Sequence, residues 1–294
     1  MAEPSSRRPT ATSSFGAGKR ESHDASAFYD RGLVALPDQT VGEVRPPSVV
    51  DEIFHGSSES MTEVADDSVA LMVTSPPYHV GKDYDSDDSF EGYLELLRRV
   101  FTETYRVLEP GGRAVVNVAN LGRRPYIPLN AHVALMMADI GFLMRGEVIW
   151  RKGAGANGSC AWGSWRSASN PTLRDTHEYC LCFSKGDFRR RRKGTSTIDS
   201  DEFLAATLSV WEMRPESARR LGHPAPFPVD LPARFIQLYT FEQDLVLDPF
   251  MGAGTTAVAA VRSGRHYVGY ETDADYYSSA IARIAQEQAQ KDLA

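Results

Sequence analysis

The chain has 294 residues, of which 42% are hydrophobic, which suits one large α/β domain with an appended module and excludes a disordered protein. Its net charge of -7 excludes a generic nucleic-acid coat, although DNA binding depends on where positive charge is placed and not on its total. No apolar run reaches the roughly 18 residues that span a bilayer, and the polar start lacks the apolar stretch of a secretion signal, so a cytoplasmic protein without a membrane partner is expected.

Residues 1–24 are rich in Ser, Arg, Ala and Thr without a hydrophobic period and are expected to form a disordered arm. From residue 50 the pattern becomes regular. Asp51 to His55 reads as a strand, Ser58 to Val64 as a short helix, and Val69 to Thr74 as a buried strand ending in the loop Ser75-Pro76-Pro77-Tyr78. The acidic run Asp83, Asp85, Asp87, Asp88 and Glu91 is too irregular for an EF-hand. Phe90, Leu94, Leu97, Phe101, Tyr105 and Leu108 recur at helical spacing, and Glu109-Pro110-Gly111-Gly112 ends that helix.

Arg113 to Val118 resumes as a strand, Leu129 to Ile140 as a helix, and Glu147 to Trp150 and Glu178 to Phe183 as two further strands. Three cysteines cannot form a disulfide framework, and Cys180 and Cys182 read as small hydrophobes on one strand face, with no metal site expected. After residue 184 the pattern lapses for almost forty residues. It returns with a helix over Val229 to Tyr239, a strand at Leu245 to Leu247, a glycine loop, a helix through Ala257 to Val261, a strand at His266 to Tyr270 and a last helix from about Asp275. This alternation implies an α/β fold: a mainly parallel sheet with helices on both faces.

Both informative loops follow apolar strands, at the carboxyl ends where open α/β sheets place their ligands. In the later one, Gly252-x-Gly254-x-x-Ala257 is followed by an acid, Glu271, nineteen residues after Gly252 at the end of the next strand. Glycines permit a tight turn and a close backbone approach, and the acid can bind ribose hydroxyls; alone, the pattern leaves NAD, FAD and S-adenosylmethionine open. Asp248-Pro249-Phe250 narrows the choice. A carboxylate beside the loop can meet the cationic amino group of a methionine moiety or hold the loop through backbone amides, whereas a pyrophosphate gains little from it. Phe250 is a flat flank for the ligand, and Thr255 follows the glycines into the helix.

The earlier loop suits an exocyclic amine. Such a nitrogen is conjugated with its ring, and acceptors aimed at its hydrogens draw its lone pair out of conjugation as the transition state develops. Ser75 oxygen and the Pro76 carbonyl are suitable acceptors, while Pro76 and Pro77 stiffen the loop and offer no competing N–H. Tyr78 supplies a face on which a flipped-out base stacks, worth roughly 1–3 kcal/mol. Together the loops point to methyl transfer onto an amino group of DNA.

On these residues the chain resembles the amino DNA methyltransferases of restriction-modification systems, in the beta arrangement, over roughly residues 50–285. The catalytic segment precedes the cofactor segment, a circularly permuted motif order on a Rossmann-like fold. The resemblance implies S-adenosylmethionine as cofactor, base flipping from double-stranded DNA, and Asp248, Pro249, Phe250, Gly252, Gly254, Thr255 and Glu271 around the cofactor. Phe227 and Pro228, in the segment His223-Pro224-Ala225-Pro226-Phe227-Pro228, resemble the wall of the methionine site. Serine at position 75 resembles the cytosine-N4 enzymes, whereas aspartate is more usual in the adenine-N6 enzymes. The resemblance leaves open a cognate restriction endonuclease acting on the same site, and a homodimer. Readings from other classes are a nicotinamide-dependent dehydrogenase, which shares the glycine loop, and a DNA-binding module without catalysis.

DNA contact is expected at two places. Arg189, Arg190, Arg191, Arg192 and Lys193 form a basic run that phosphates attract. The glycine-rich loop 152–174 carries Lys152, Trp165, Arg166 and Arg174, which can stack or hydrogen-bond with bases. The expected organisation is therefore an arm at 1–24, a catalytic half at 25–184, a small DNA-recognition insertion at 185–222 and a cofactor-binding half at 223–294.

Overall fold

The computed structural model describes residues 42–77, 89–122, 125–153, 163–216 and 227–291. Tyr78, the arm 1–24 and the acidic run before residue 89 lie outside the described residues. In chain order the elements are β1 (Glu52–His55), β2 (Val69–Thr74), α1 (Phe90–Val107), β3 (Leu108–Val118), α2 (Leu129–Ile140), β4 (Phe142–Arg151), β5 (His177–Lys185), α3 (Ser200–Ala206), β6 (Val210–Glu212), α4 (Asp230–Tyr239), β7 (Leu245–Asp248), α5 (Thr255–Arg262), β8 (His266–Glu271) and α6 (Ala274–Lys291).

The eight strands form one sheet in the order β1-β8-β7-β2-β3-β5-β4-β6. All neighbours are parallel except β3 with β5 and β5 with β4, so β5 alone runs against the rest. Side chains alternate between the two faces, as a pleated strand requires. Leu71, Val73, Val115, Cys180, Cys182 and Val246 pack with α4, α5 and α6, while Val69, Met72, Val116, Leu181, Phe183 and Leu247 pack with α1 and α2 on the opposite face. The result is the expected Rossmann-like α/β architecture, and both cysteines are buried hydrophobes on one face.

Local chemistry sets the helix ends. Ser89 caps α1 by accepting from Gly92 N, and Asp199 caps α3 by accepting from Glu202 N. Gly141 ends α2 in the left-handed conformation at φ 113°.

Three expectations are corrected. Ser58 to Val64 is not a helix but a series of turns, because tertiary partners take its backbone groups: Met61 N donates to the Glu103 carboxylate, and Arg106 donates to Met61 O and Val64 O. β3 begins at Leu108 and not at Arg113, since the proline-glycine segment bulges within the strand opposite Val69 to Leu71. The interval after residue 184 is not patternless. It supplies α3 and the edge strand β6, which pairs with β4.

Candidate active site

β2 and β7 are hydrogen-bonded neighbours and run parallel, with Leu71 opposite Val246 and Met72 opposite Leu247. Their following segments therefore emerge side by side. From β2 the chain crosses by α1 to β3, and from β7 it crosses by α5 to β8 on the other side and over the other face. This is the switch point at which an open sheet leaves a crevice.

A direct contact ties the two loops together. Thr74 Oγ1 donates to Asp248 Oδ1 at 2.6 Å, Thr256 Oγ1 donates to Asp248 Oδ2 at 2.6 Å, and Phe250 N donates to Asp248 Oδ1 at 3.1 Å. Asp248 is thus buried within the loop framework, the second of its two expected roles. Burial pushes its carboxyl up to about 7, against the hydrogen bonds from Thr256, Thr74 and Phe250, which pull it down. Ser58 Oγ donates to Pro249 O at 2.8 Å and fixes the same turn from the end of β1.

The glycine loop turns through positive φ at Gly252 (51°) and Gly254 (78°), where an L side chain is strained. Gly252 N donates to Glu271 Oε2 at 2.7 Å, and Asp273 N donates to Glu271 Oε1 at 2.8 Å. Glu271 is half-buried at the end of β8, with lone pairs left for hydroxyls of a ligand. Gly254 caps α5 without a side-chain bond, so the first-turn N–H groups of α5 have no side-chain cap and suit an anionic group. Arg283 of α6 donates to Ala253 O and Thr255 Oγ1, bracing the loop from outside. Phe227 and Phe250 are partly buried, whereas Pro228, Pro249 and Thr255 are buried. This loop can hold a nucleoside with an attached carboxylate, the acid on hydroxyls and the helix start on the anion.

On the other side of the Thr74 to Asp248 contact, Ser75 is half-buried, Pro76 buried and Pro77 exposed. Reasoning from the sequence missed two neighbours. Asn117 near the end of β3 places Nδ2 3.4 Å from Ser75 Oγ and 2.6 Å from Glu178 Oε2. Asn117 stands as a polar residue inside an apolar strand run, the one signal that marks it in the sequence, whereas Glu178 opens β5 between His177 and Tyr179. Thr74 and Thr256 carry a similar signal, ending a buried strand and opening a buried helix.

The basic residues divide. β5 runs antiparallel to β3, with Val118 opposite Tyr179 and Arg113 opposite Ser184, so its carboxyl end and Arg189 to Lys193 lie at the end of the sheet away from Ser75. Arg190 donates to Glu109 Oε1 at 2.7 Å and Asp244 Oδ2 at 2.6 Å, and Arg192 to Glu109 Oε2 at 3.0 Å, so buried acids claim these cations. Arg191 pairs with Asp187, and Arg189 and Lys193 are exposed at this same far end. By contrast β4 ends beside the start of β5, with Arg151 opposite His177, at the Ser75 end. Lys152 there pairs with Glu178 Oε1 at 2.6 Å, while Trp165, Arg166 and Arg174 are exposed. Among the described residues no helix is long and apolar enough to cross a membrane, and no cluster of acids, histidines and cysteines is arranged for a metal.

Comparison with known proteins agrees with this geometry. Residues 69–282 match the N6/N4 methyltransferase family described as DNA methylase. The type II methyltransferase M.MthZI of Methanothermobacter thermautotrophicus is 29% identical over 269 residues, covering 79% of this chain and 76% of that one. TTHA0409 of Thermus thermophilus superposes with a TM-score of 0.67 at 29% identity, over 81% of this chain and 96% of its own. Its crystal structure complexed with S-adenosyl-L-methionine superposes at 0.64 and 28% identity, over 80% and 95%. The cytosine-N4-specific PvuII DNA methyltransferase shares the fold, with a TM-score of 0.65 at 21% identity over 85% and 96%.

Proposed function

The chain belongs to the DNA methylase family that its residues 69–282 match, and from that premise we propose that it methylates the exocyclic N4 amine of cytosine in double-stranded DNA at a specific site. The cofactor is S-adenosylmethionine. The observation that carries this reading is the 2.6 Å contact of Thr74 with Asp248, which brings the amine-binding loop and the cofactor loop to one crevice.

Glu271 fits the ribose hydroxyls, and the uncapped start of α5 fits the methionine carboxylate, with Phe250, Phe227 and Pro228 as apolar flanks. Asp248 keeps the loop in shape from beneath. When bound, S-adenosylmethionine supplies a methyl carbon made electrophilic by its sulfonium, so the amine's lone pair forms the N–C bond while the C–S pair returns to sulfur. Ser75 Oγ and Pro76 O accept from the amine hydrogens and turn its lone pair out of the ring plane. The methylated nitrogen then passes one proton to solvent water and becomes a neutral methylamino group. Tyr78 stacks on the flipped base.

Serine at position 75 supports cytosine over adenine. Bases are read by the segments that leave β4 after Arg151 and β6 after Glu212, both at the Ser75 end, with Trp165, Arg166 and Arg174 as contacts. A restriction endonuclease of the same specificity would be the biological partner. The test is methyl transfer to mixed-sequence DNA followed by nucleoside analysis: N4-methylcytosine is expected, N6-methyladenine would move the same chemistry to adenine, and neither would overturn the reading.

A further inference from the structure

Behind the catalytic serine lies a row of polar groups that the fold itself does not require. Asn117 and Glu178 are 2% and 5% exposed, on the adjacent strands β3 and β5, next to the buried Val115, Val118, Cys180 and Leu181. Burying a carboxylate is costly unless it is both paired and hydrogen-bonded. Glu178 has both: Oε1 meets Lys152 Nζ at 2.6 Å and Oε2 accepts from Asn117 Nδ2 at 2.6 Å.

The direction of these bonds has a chemical consequence. An ionised carboxylate only accepts, so it holds the Asn117 amide with nitrogen toward Glu178. The Cys180 thiol donates to Asn117 Oδ1 at 3.3 Å and agrees with that orientation. The remaining Nδ2 hydrogen then points to Ser75 Oγ, 3.4 Å away. Because this nitrogen can only donate, the serine hydrogen is turned elsewhere and one serine lone pair is engaged. The other is left for the incoming amine. A catalytic hydrogen bond of this length tightens when substrate arrives.

We propose that Lys152, Glu178 and Asn117 form a positioning chain that orients the Ser75 hydroxyl toward the target amine. The inference rests on the methyl-transfer reading above. It gives Lys152 a place in turnover and not in phosphate binding.

Three variants of the full chain test it, by steady-state methyl transfer to DNA together with calorimetry for S-adenosylmethionine. Glu178→Gln keeps an acceptor but lets the Asn117 amide turn over; kcat falls about 10–100-fold, the scale of a misplaced reacting group, with cofactor affinity unchanged. Asn117→Leu removes the donor to Ser75 at similar size; kcat falls on the same scale, again with cofactor affinity unchanged. Lys152→Met lowers kcat and leaves the salt dependence of DNA binding unaltered, whereas a phosphate contact would raise KM and flatten that dependence. Wild-type kcat in Glu178→Gln, or a fall matched by lost cofactor affinity, would overturn the chain. A wild type that transfers no methyl to DNA would overturn the parent reading itself.

Discussion

Thr74 and Asp248, 174 residues apart in the chain, share a 2.6 Å hydrogen bond between the last residues of two neighbouring parallel strands. Thr74→Val keeps the shape and removes the donor. The buried carboxyl then loses one of its hydrogen bonds, and its pKa rises further. Urea denaturation is expected to show a loss of about 1–3 kcal/mol.

The same carboxyl makes stability depend on pH. Its value in the folded protein, about 7, lies above the roughly 3.9 of an unfolded aspartate, so the native state holds the proton more tightly. Its contribution is fully present below about pH 4 and is lost as pH rises through 7. Asp248→Asn removes this dependence. Melting temperatures from pH 4 to 8 should fall less steeply in the variant than in the wild type, and parallel curves would show that Asp248 ionises normally.

Arg190 is a structural cation. Its side chain is 8% exposed and joins Glu109, which is wholly buried, to Asp244. Arg190→Ala leaves the buried Asp244 without its ion-pair partner and Glu109 with Arg192 alone, and should cost about 3–5 kcal/mol in chemical denaturation. Arg191→Ala, at a half-exposed pair with Asp187, should change stability by less than about 1 kcal/mol.

Gly254→Ala tests the glycine loop. An added Cβ would stand 3.1 Å from Ala280 Cβ and 3.2 Å from Ala280 Cα, at φ 78°, so both α6 and the backbone oppose it. The left-handed conformation alone costs a side chain about 1–2 kcal/mol. Cofactor affinity measured by calorimetry should fall at least tenfold, while Gly56→Ala, with open space around it, should bind as the wild type does.

The sequence was legible where local physics decides. α2 spans Leu129 to Ile140 as expected, and both loops sit at strand ends because proline and glycine punctuate the chain there. Long-range partners hid the rest. Arg106 and Glu103 take up the backbone of Ser58 to Val64, and nothing within that segment announces them. The surroundings of the arginine run were hidden too, because charge clustering does not reveal which end of a sheet it occupies. The acids that neutralise Arg190 lie 81 and 54 residues away. β6 is only three residues long, too short to carry a period.

The adjacency of β2 and β7 also governs the order in which the molecule can be completed. β3 follows β2 closely and covers one side of it, but the other side waits for β7. At about 5–20 residues per second, synthesis needs roughly 9–35 s to travel from Thr74 to Asp248. Throughout that time a strand that the fold buries completely, Val69 to Thr74, presents an unpaired edge to the cell. Newly made chains should therefore occupy chaperones until Leu245 to Asp248 has emerged, and fragments ending before Leu245 should aggregate.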